Sequence, residues 1–169
     1  MRMSKTRLIF LSFVLFLLQG WCSSCSQCDD MEAIFLGKAW QLTYRPDMMD
    51  RLFETEEEKE ETLKLLKKAS NFTITFTGTS KEDIITGNFS AQGVTSQVSG
   101  TWTANGRTNE LRMTITSAAQ AEQNTLARHM MECIRNVTEY KGDVNNMFLY
   151  YQGGSVNFMG FTPIAKNKD

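Results

Sequence analysis

A strict alternation of apolar and polar side chains runs through the middle of this 169-residue chain. Residues 72–76 read Phe-Thr-Ile-Thr-Phe, and residues 111–115 repeat the pattern as Leu-Arg-Met-Thr-Ile. Because successive side chains of a strand point to opposite faces, this period of two predicts half-buried β-strands. Two more strands are predicted at 82–90 and 94–103, with turns at 91–93 and at Asn105-Gly106. Four such strands in succession favour an antiparallel meander.

Further strands are predicted on both sides of this meander. The first covers residues 36–44 and ends at Pro46, because proline has no backbone N–H to donate to a ladder. The last three are predicted at 137–141, 147–152 and 155–161. Residues 147–151, Met-Phe-Leu-Tyr-Tyr, are apolar or aromatic on both faces. We therefore expect the second face of this strand to lie under a helix or to form a ligand surface.

Two helices are predicted between the strands. In residues 54–68, Thr55 and Glu58 have the spacing of a capping box, and the charges run from glutamate at the start to lysine at the end. The apolar stripe of this helix is thin, which indicates a solvated helix. Residues 119–135 form the second helix, with an apolar face made of Leu126, Met130, Cys133 and Ile134.

The N-terminus has the features of an export signal. Three basic residues precede the apolar segment 8–18. This segment is shorter than the roughly 20 residues that span a bilayer, and it matches the roughly 7–15-residue apolar core of a signal peptide. We therefore predict a signal peptide at residues 1–24, a short tether at 25–35 and a single domain at 36–165.

The predicted cleavage site lies after Ser24 and leaves Cys25 as the first residue, which resembles a bacterial lipoprotein signal. That pattern prefers an aliphatic residue three positions before the cysteine, where this chain has Cys22. Cys22 itself and Cys28 are poorer candidates, because tryptophan and glutamine precede them. Cys25 is therefore the predicted site of lipid attachment. The predicted location is the bacterial cell envelope, at the outer membrane.

The charge of the chain restricts its partners. The net charge is −1, and it becomes −4 when the three basic residues of segment 1–24 are removed. A nucleic-acid partner is not expected, because phosphate binding needs clustered lysine and arginine. An acidic domain is not attracted to an anionic membrane, so membrane attachment is expected through the N-terminal lipid alone.

The sequence contains no recognisable catalytic constellation. It has one histidine, His129, and lacks the Gly-x-Ser-x-Gly, His-Glu-x-x-His and Walker-type motifs. Cys22, Cys25 and Cys28 have a metal-like spacing, with His129 or Cys133 as an imaginable fourth ligand. Because this cluster lies at the cleavage region, we expect no metal. The lack of a catalytic constellation predicts no enzymatic activity, and no cofactor is expected. Cys133 could pair with Cys28, but a small buried hydrophobe is the preferred interpretation.

Four aromatic residues are candidates for a ligand-binding interior, namely Trp40, Trp102, Tyr150 and Tyr151. A small barrel could use them to hold an apolar small molecule. The preferred interpretation is that they fill the core.

The order of motifs resembles the META domain family, typified by the heat-shock protein HslJ. The resemblance covers residues 36–162 and rests on seven short patterns and a helix before the closing hairpin. The patterns are Trp40-Gln41-Leu42, residues 72–76, Thr86-Gly87-Asn88, residues 99–103 (Ser-Gly-Thr-Trp-Thr), residues 111–115, residues 147–151 and Val156-Asn157-Phe158. No cysteine stands near Thr86-Gly87-Asn88, where the family has a Gly-Cys-Asn element, and the charged helix at 54–68 is an insertion.

This resemblance implies a mainly β (α+β) fold, a small antiparallel lipocalin-like β-barrel with two added helices. It also implies a non-catalytic envelope protein with a structural, stress-related or protein-interaction role. The partner would then be another envelope protein. The alternative is a lipoprotein that binds a small apolar ligand as lipocalins do.

Overall fold

The computed structural model describes residues 26–153 and 157–164, with the backbone alone for residues 26–30. Eight strands form one antiparallel sheet. They are β1 (Ala39–Leu42), β2 (Thr73–Lys81), β3 (Ile84–Gln92), β4 (Gln97–Asn105), β5 (Leu111–Ala118), β6 (Val137–Gly142), β7 (Met147–Tyr151) and β8 (Phe158–Pro163). The expected alternation explains these strands, since their inward residues are buried and their outward residues are mostly polar. The predicted fold, a mainly β antiparallel barrel, is confirmed.

The sheet curls into a nearly closed barrel with a single irregular seam. Its strand order is β5-β4-β3-β2-β1-β8-β7-β6, so β1 and β8 pair and the two outermost strands are β5 and β6. These two strands approach each other through an antiparallel bridge between Glu110 and Glu139. The amide of Tyr140 also donates to the carbonyl oxygen of Asn109 at 3.0 Å. The seam is therefore joined at one end of the barrel only.

Helix α4 (Thr125–Asn136) covers the other part of the seam and follows β5 directly in the chain. Its buried face consists of Leu126, Ala127, Met130, Met131, Cys133 and Ile134. It packs against β5, β7 and β8. The side chain of Asn124 caps its first turn by accepting from the amide of Ala127 at 3.0 Å. The predicted apolar face of this helix is thus the face that closes the barrel.

Helix α1 (Ser26–Phe35) replaces the predicted tether. Its side chains Met31, Ile34 and Phe35 are buried in the core. The ring of Phe35 lies 5.0 Å from that of Phe76 and 4.7 Å from that of Trp102. The interpretation of segment 25–35 as a tether is therefore wrong for the residues described. Its three apolar residues are too few to show a helical period by themselves, but they fill the barrel mouth.

The remaining helical segments pack outside the barrel. They are α2 (Pro46–Met49), a 3-10 turn (Asp50–Leu52) and α3 (Glu56–Leu66), so the domain has more helical segments than the two expected. The Thr55 side chain accepts from the amide of Glu58, which confirms the start of the capping box. None of the helices described is both long and apolar enough to cross a membrane.

Candidate functional site

The barrel interior is filled by aromatic side chains. Trp40 and Trp102 have 0% and 2% of their surface exposed. The indole N–H of Trp40 donates to the carbonyl oxygen of Ile34 at 3.1 Å, and that of Trp102 donates to the carbonyl of Thr77 at 3.1 Å. Gly87 lies on β3, between β2 and β4. A Cβ at Gly87 would be 1.8 Å from the carbonyl oxygen of Thr77, so glycine permits the close approach of β3 to β2. Both tryptophans therefore have the contacts of packing residues.

Tyr150 and Tyr151 lie on opposite faces of β7, so the four candidate aromatic residues do not converge. Tyr151 points inward and is buried. Tyr150 points outward, where its ring lies 5.3 Å from that of Phe158 and under the ammonium of Lys141 at 4.8 Å. Strand alternation requires this separation of adjacent residues. Tyr150 is therefore not a lining residue of the barrel interior.

The outward face of β7 and β8 carries a small aromatic cluster. Phe148 and Tyr150 flank Phe158, with ring separations of 5.7 and 5.3 Å. The guanidinium of Arg45 lies 5.5 Å from the Phe158 ring. These aromatic side chains are half-buried. The apolar second face expected for residues 147–151 is thus partly covered by its own neighbours and by two cationic side chains.

The side chains that could bind a metal ion or act as a thiol nucleophile do not cluster among the residues described. No group of three or more His, Cys, Asp or Glu side chains in that part of the chain is arranged to hold a metal ion. Cys133 is a buried free thiol, and burial raises its pKa, which makes it a poor nucleophile. Cys22 and Cys25 lie outside the described residues. The location of Cys133 matches its interpretation as a small buried hydrophobe.

Among the described residues, the side chains of His129 and Tyr151 form a contact that the sequence did not reveal. The Tyr151 hydroxyl lies 2.9 Å from Nε2 of His129. Burial lowers the pKa of His129, and the nearby Glu132 opposes that shift. Burial also raises the pKa of Tyr151 to about 12. These directions keep both groups neutral near pH 7, with the hydroxyl joining β7 to α4.

Glu122 forms a second polar junction close to α4. Its carboxylate accepts from the backbone N–H groups of Val94 and Ser96 at 2.9 and 3.1 Å and from the Ser96 hydroxyl at 2.8 Å. The backbone N–H of Asn124 also donates to this carboxylate, at 2.9 Å. Partial burial raises the pKa of Glu122, but the hydrogen bonds from Asn124, Ser96 and Val94 outweigh burial and lower it to about 2. This carboxylate fastens the β3–β4 turn to the start of α4.

Two clefts lie at the opposite end of the barrel, around α1. One has a volume of about 220 Å³, with Met31, Gly106 and Tyr140 among its lining residues. The other has a volume of about 290 Å³ and is lined by Ile34, Gly142, Asp143 and Val144. We call this region, with the β2–β3, β4–β5 and β6–β7 turns beside it, the α1 end. No sequence motif marks it, because it exists only after α1 has entered the barrel mouth.

Comparison with known proteins places this barrel in a family. The sequence model of DUF4847, described as a domain of unknown function, matches residues 26–163. The chain belongs to the DUF4847 family. The match includes α1, so this helix is part of the family domain. No curated protein matches the chain.

A solved structure supports the fold. The DUF4847 chain described here is similar to a DUF4847 family protein from Bacteroides vulgatus ATCC 8482, whose crystal structure was determined at 1.00 Å resolution. The two share 19% sequence identity over 81% of this chain and 99% of the other, with a TM-score of 0.56. At that identity the likeness concerns the fold alone.

The resemblance to META domains is therefore corrected. The family model that matches is DUF4847, and the similar solved structure carries the same family name. The motifs behind the resemblance were short strand patterns such as 111–115. Such alternation is what any half-buried antiparallel strand requires, so it indicates an antiparallel sheet without distinguishing one family from another.

Proposed function

We propose that this DUF4847 protein is a lipid-anchored, non-catalytic protein of the bacterial cell envelope that acts through its outer surface. The observation that carries this proposal is the filled interior of the barrel. A lipocalin-like carrier needs an enclosed cavity for its ligand. Here Phe35 of α1 occupies that space and contacts Phe76, Trp102 and Tyr140 with ring separations of 4.7 to 5.0 Å.

The buried polar groups favour a binding role over a catalytic one. A catalytic site needs a nucleophile, a base and a place where the reacting atom can lie close to both. His129 is hydrogen-bonded to Tyr151, and the Glu122 carboxylate is surrounded by donors from the β3–β4 turn. Both groups are therefore engaged in holding elements together.

The anchoring part of the proposal rests on Cys25. The family domain begins at residue 26, directly after this cysteine, and α1 is helical from Ser26 onward. A cleaved and lipid-modified chain beginning at Cys25 would thus retain the whole family domain. The role at the membrane would be a structural, stress-related or protein-interaction role in the envelope.

Metabolic labelling with a fatty acid tests the anchor. We expect the wild-type protein to carry the label and to sediment with the outer membrane. The Cys25→Ala variant should lose the label and move to the soluble fraction. Cys28→Ala is the matched control and should keep both properties. Labelling that persists in Cys25→Ala would move the site to another cysteine, and an unlabelled wild-type protein would contradict the anchor.

A second candidate function is the binding of a small apolar ligand, and the clefts at the α1 end are the observation in its favour. Their volumes lie just below the roughly 300–1,000 Å³ of ordinary ligand pockets. An apolar fluorescent dye titrated into the protein tests this possibility. Val144→Asp lies at the α1 end, and Ala121→Asp lies at the opposite end of the barrel, which we call the far end. Binding that is weakened by Val144→Asp and unchanged by Ala121→Asp would favour this function. Equal binding by all three proteins would reject it.

A further inference from the structure

The exposed apolar surface of the described residues is concentrated at the α1 end. The two large hydrophobic side chains that are exposed there are Ile84, at 43%, and Val144, at 47%. Ile84 begins β3, directly after the β2–β3 turn, and Val144 lies in the β6–β7 turn. Both turns are at the same end of the barrel, because β2 and β6 run in the same direction through the antiparallel sheet. The far end of the barrel has no comparable residue among those described.

Neither exposed side chain is needed by the core. Ile85, the neighbour of Ile84, points inward and is fully buried, so strand alternation directs Ile84 to the outside. In the β6–β7 turn the Asp143 carboxylate accepts from the backbone N–H groups of Asn145 and Asn146 at 2.7 and 2.9 Å. These bonds hold the turn by its polar residues and leave Val144 at its tip.

Helix α1 brings the start of the domain to this same end. Phe35 lies deepest, against Trp102, and Met31 lies near the β4–β5 turn, where a Cβ at Gly106 would be 3.3 Å from its methyl carbon. Glu32 accepts a hydrogen bond from Ser80 near the end of β2. The C-terminal end of α1 therefore lies in the core, and its N-terminal end points outward past the turns. Ser26 is five residues beyond Met31, which corresponds to about 7 Å along the helix axis.

The described part of the α1 end carries more acidic than basic side chains, because Glu32 and Glu110 lie there beside the charged groups named next. Arg107 pairs with Asp83, and Lys141 pairs with Glu139 at 3.1 Å. The ammonium of Lys38 donates to the carbonyl oxygen of Val144 at 2.9 Å and lies near Asp143. Lys81 and Glu82 offset each other in formal charge. This surface is therefore not attracted to anionic lipids, and contact with a bilayer would depend on its apolar residues.

We propose that the α1 end rests on the lipid bilayer, with Ile84 and Val144 entering the interfacial region. This inference rests on the proposed lipid attachment at Cys25. Since α1 is helical from Ser26, no extended linker among the described residues separates the barrel from the anchor. The lipid supplies the attachment, and the two side chains determine which end of the barrel faces the membrane. Two partly exposed residues bury too little apolar area to bind a membrane without the anchor.

The test measures the depth of single sites in the membrane-bound protein. Full-length chains with Ile84→Cys, Val144→Cys or Ala121→Cys, each with Cys28→Ser, are expressed in the bacterial envelope and labelled with an environment-sensitive fluorophore. Cys133 is buried and is not expected to react. Ala121 is exposed and follows β5, at the far end of the barrel, so it is the matched control. The purified proteins are reconstituted in phosphatidylcholine vesicles that carry a lipid-attached quencher.

We expect the fluorophores at positions 84 and 144 to lose at least about half of their emission, while the one at 121 is unaffected by the quencher. An equal loss of emission to the quencher at all three positions in vesicle-bound protein would overturn the proposed orientation and leave the lipid anchor intact. Stronger quenching at 121 would overturn it as well, by showing that the far end faces the membrane. Protein that carries no fatty acid and does not float with the vesicles would reject the anchor and, with it, the orientation.

Discussion

The two ends of the barrel are built in different ways. At the far end, α4 covers the open part of the seam with a broad apolar face, and Glu122 ties the β3–β4 turn to that helix through backbone and hydroxyl donors. At the α1 end, a shorter helix enters the mouth, clefts of about 220 and 290 Å³ remain, and Ile84 and Val144 face outward.

This difference separates an end that is fastened to the rest of the fold from the end that we propose to face the membrane. Buried apolar area and charged hydrogen bonds stabilise the far end. The α1 end keeps apolar surface that the fold does not use, and such surface is typical of interaction sites. Four predictions test the comparison, in order of decreasing expected effect.

Trp102→Ala should have the largest effect, because its ring packs on Phe35 and Phe76. Loss of this ring leaves a cavity and is expected to cost about 3–5 kcal/mol of unfolding free energy, measured by urea denaturation. Hydrogen exchange should also quicken in α1 before it does in α4. Tyr150→Ala is the control on the outer face and should cost about 1 kcal/mol. A loss below about 1 kcal/mol for Trp102→Ala would show that the interior is not packed around this residue.

Glu122→Gln should destabilise the protein by about 1–3 kcal/mol, because the amide replaces a charged acceptor with a weaker one. The pKa of Glu122 is about 2 in the folded protein and 4.5 as its ordinary value. Its contribution is therefore fully present above about pH 4.5 and is lost as the pH falls toward about 2. Urea midpoints at pH 7 and pH 3 measure this loss. Glu110→Gln, at the α1 end, should behave like wild type at both pH values. A Glu122→Gln variant as pH-sensitive as wild type would reject the junction.

His129 should produce a smaller effect, below about 1 kcal/mol because the ring is partly exposed. Burial lowers its pKa below 6.5 in the folded protein, so the unfolded chain takes up the proton first. Its contribution is present above pH 6.5 and declines as the pH falls below that value. Because this is the single histidine of the chain, its ring resonance in a proton NMR titration reports the pKa directly. His129→Gln should remove the part of the pH dependence of stability that lies just below pH 6.5. A pKa of His129 above 6.5 in the folded protein would contradict its burial.

Ile84→Ser and Val144→Ser should have the smallest effect on stability, within about 0.5 kcal/mol of wild type. Both side chains are exposed; the core contains Ile85 next to Ile84, and Val144 lies at the tip of a turn. Thermal unfolding of the two variants measures this, with Ile85→Ser as a buried control that should be strongly destabilised. A loss comparable to that of Ile85→Ser would show that the exposed residues are structural.

Much of the fold could be predicted from local patterns. The period of two in residues 72–76 and 111–115 specified strands, and the apolar spacing of residues 126–134 specified α4. Strand and helix boundaries shifted by a few residues, as in the first strand, which was expected at 36–44 and is Ala39–Leu42. Such boundaries depend on partner strands, which a local pattern does not contain.

The candidate site was harder to predict. The sequence could propose Trp40, Trp102, Tyr150 and Tyr151 as one group, but only the barrel shows that Tyr150 faces away from the others. The pair formed by His129 and Tyr151 joins residues that are 22 positions apart. The hydrogen bonds of Glu122 span up to 28 positions. Long-range pairs of this kind carry no spacing signal in the sequence.

The sequence by itself determined which faces of the strands are apolar, because alternation is a local consequence of backbone geometry. Together with the capped and amphipathic helices, this was enough for a mainly β chain with an antiparallel meander, and the barrel was expected only from the resemblance to META domains. Only the tertiary structure decided what fills that barrel. Met31, Ile34 and Phe35 have the spacing of a single helical turn, which is too short to identify a core helix, and they form part of the core because the open mouth offers apolar surface that must be buried. The same closure left Ile84 and Val144 exposed at the end where the chain enters the domain.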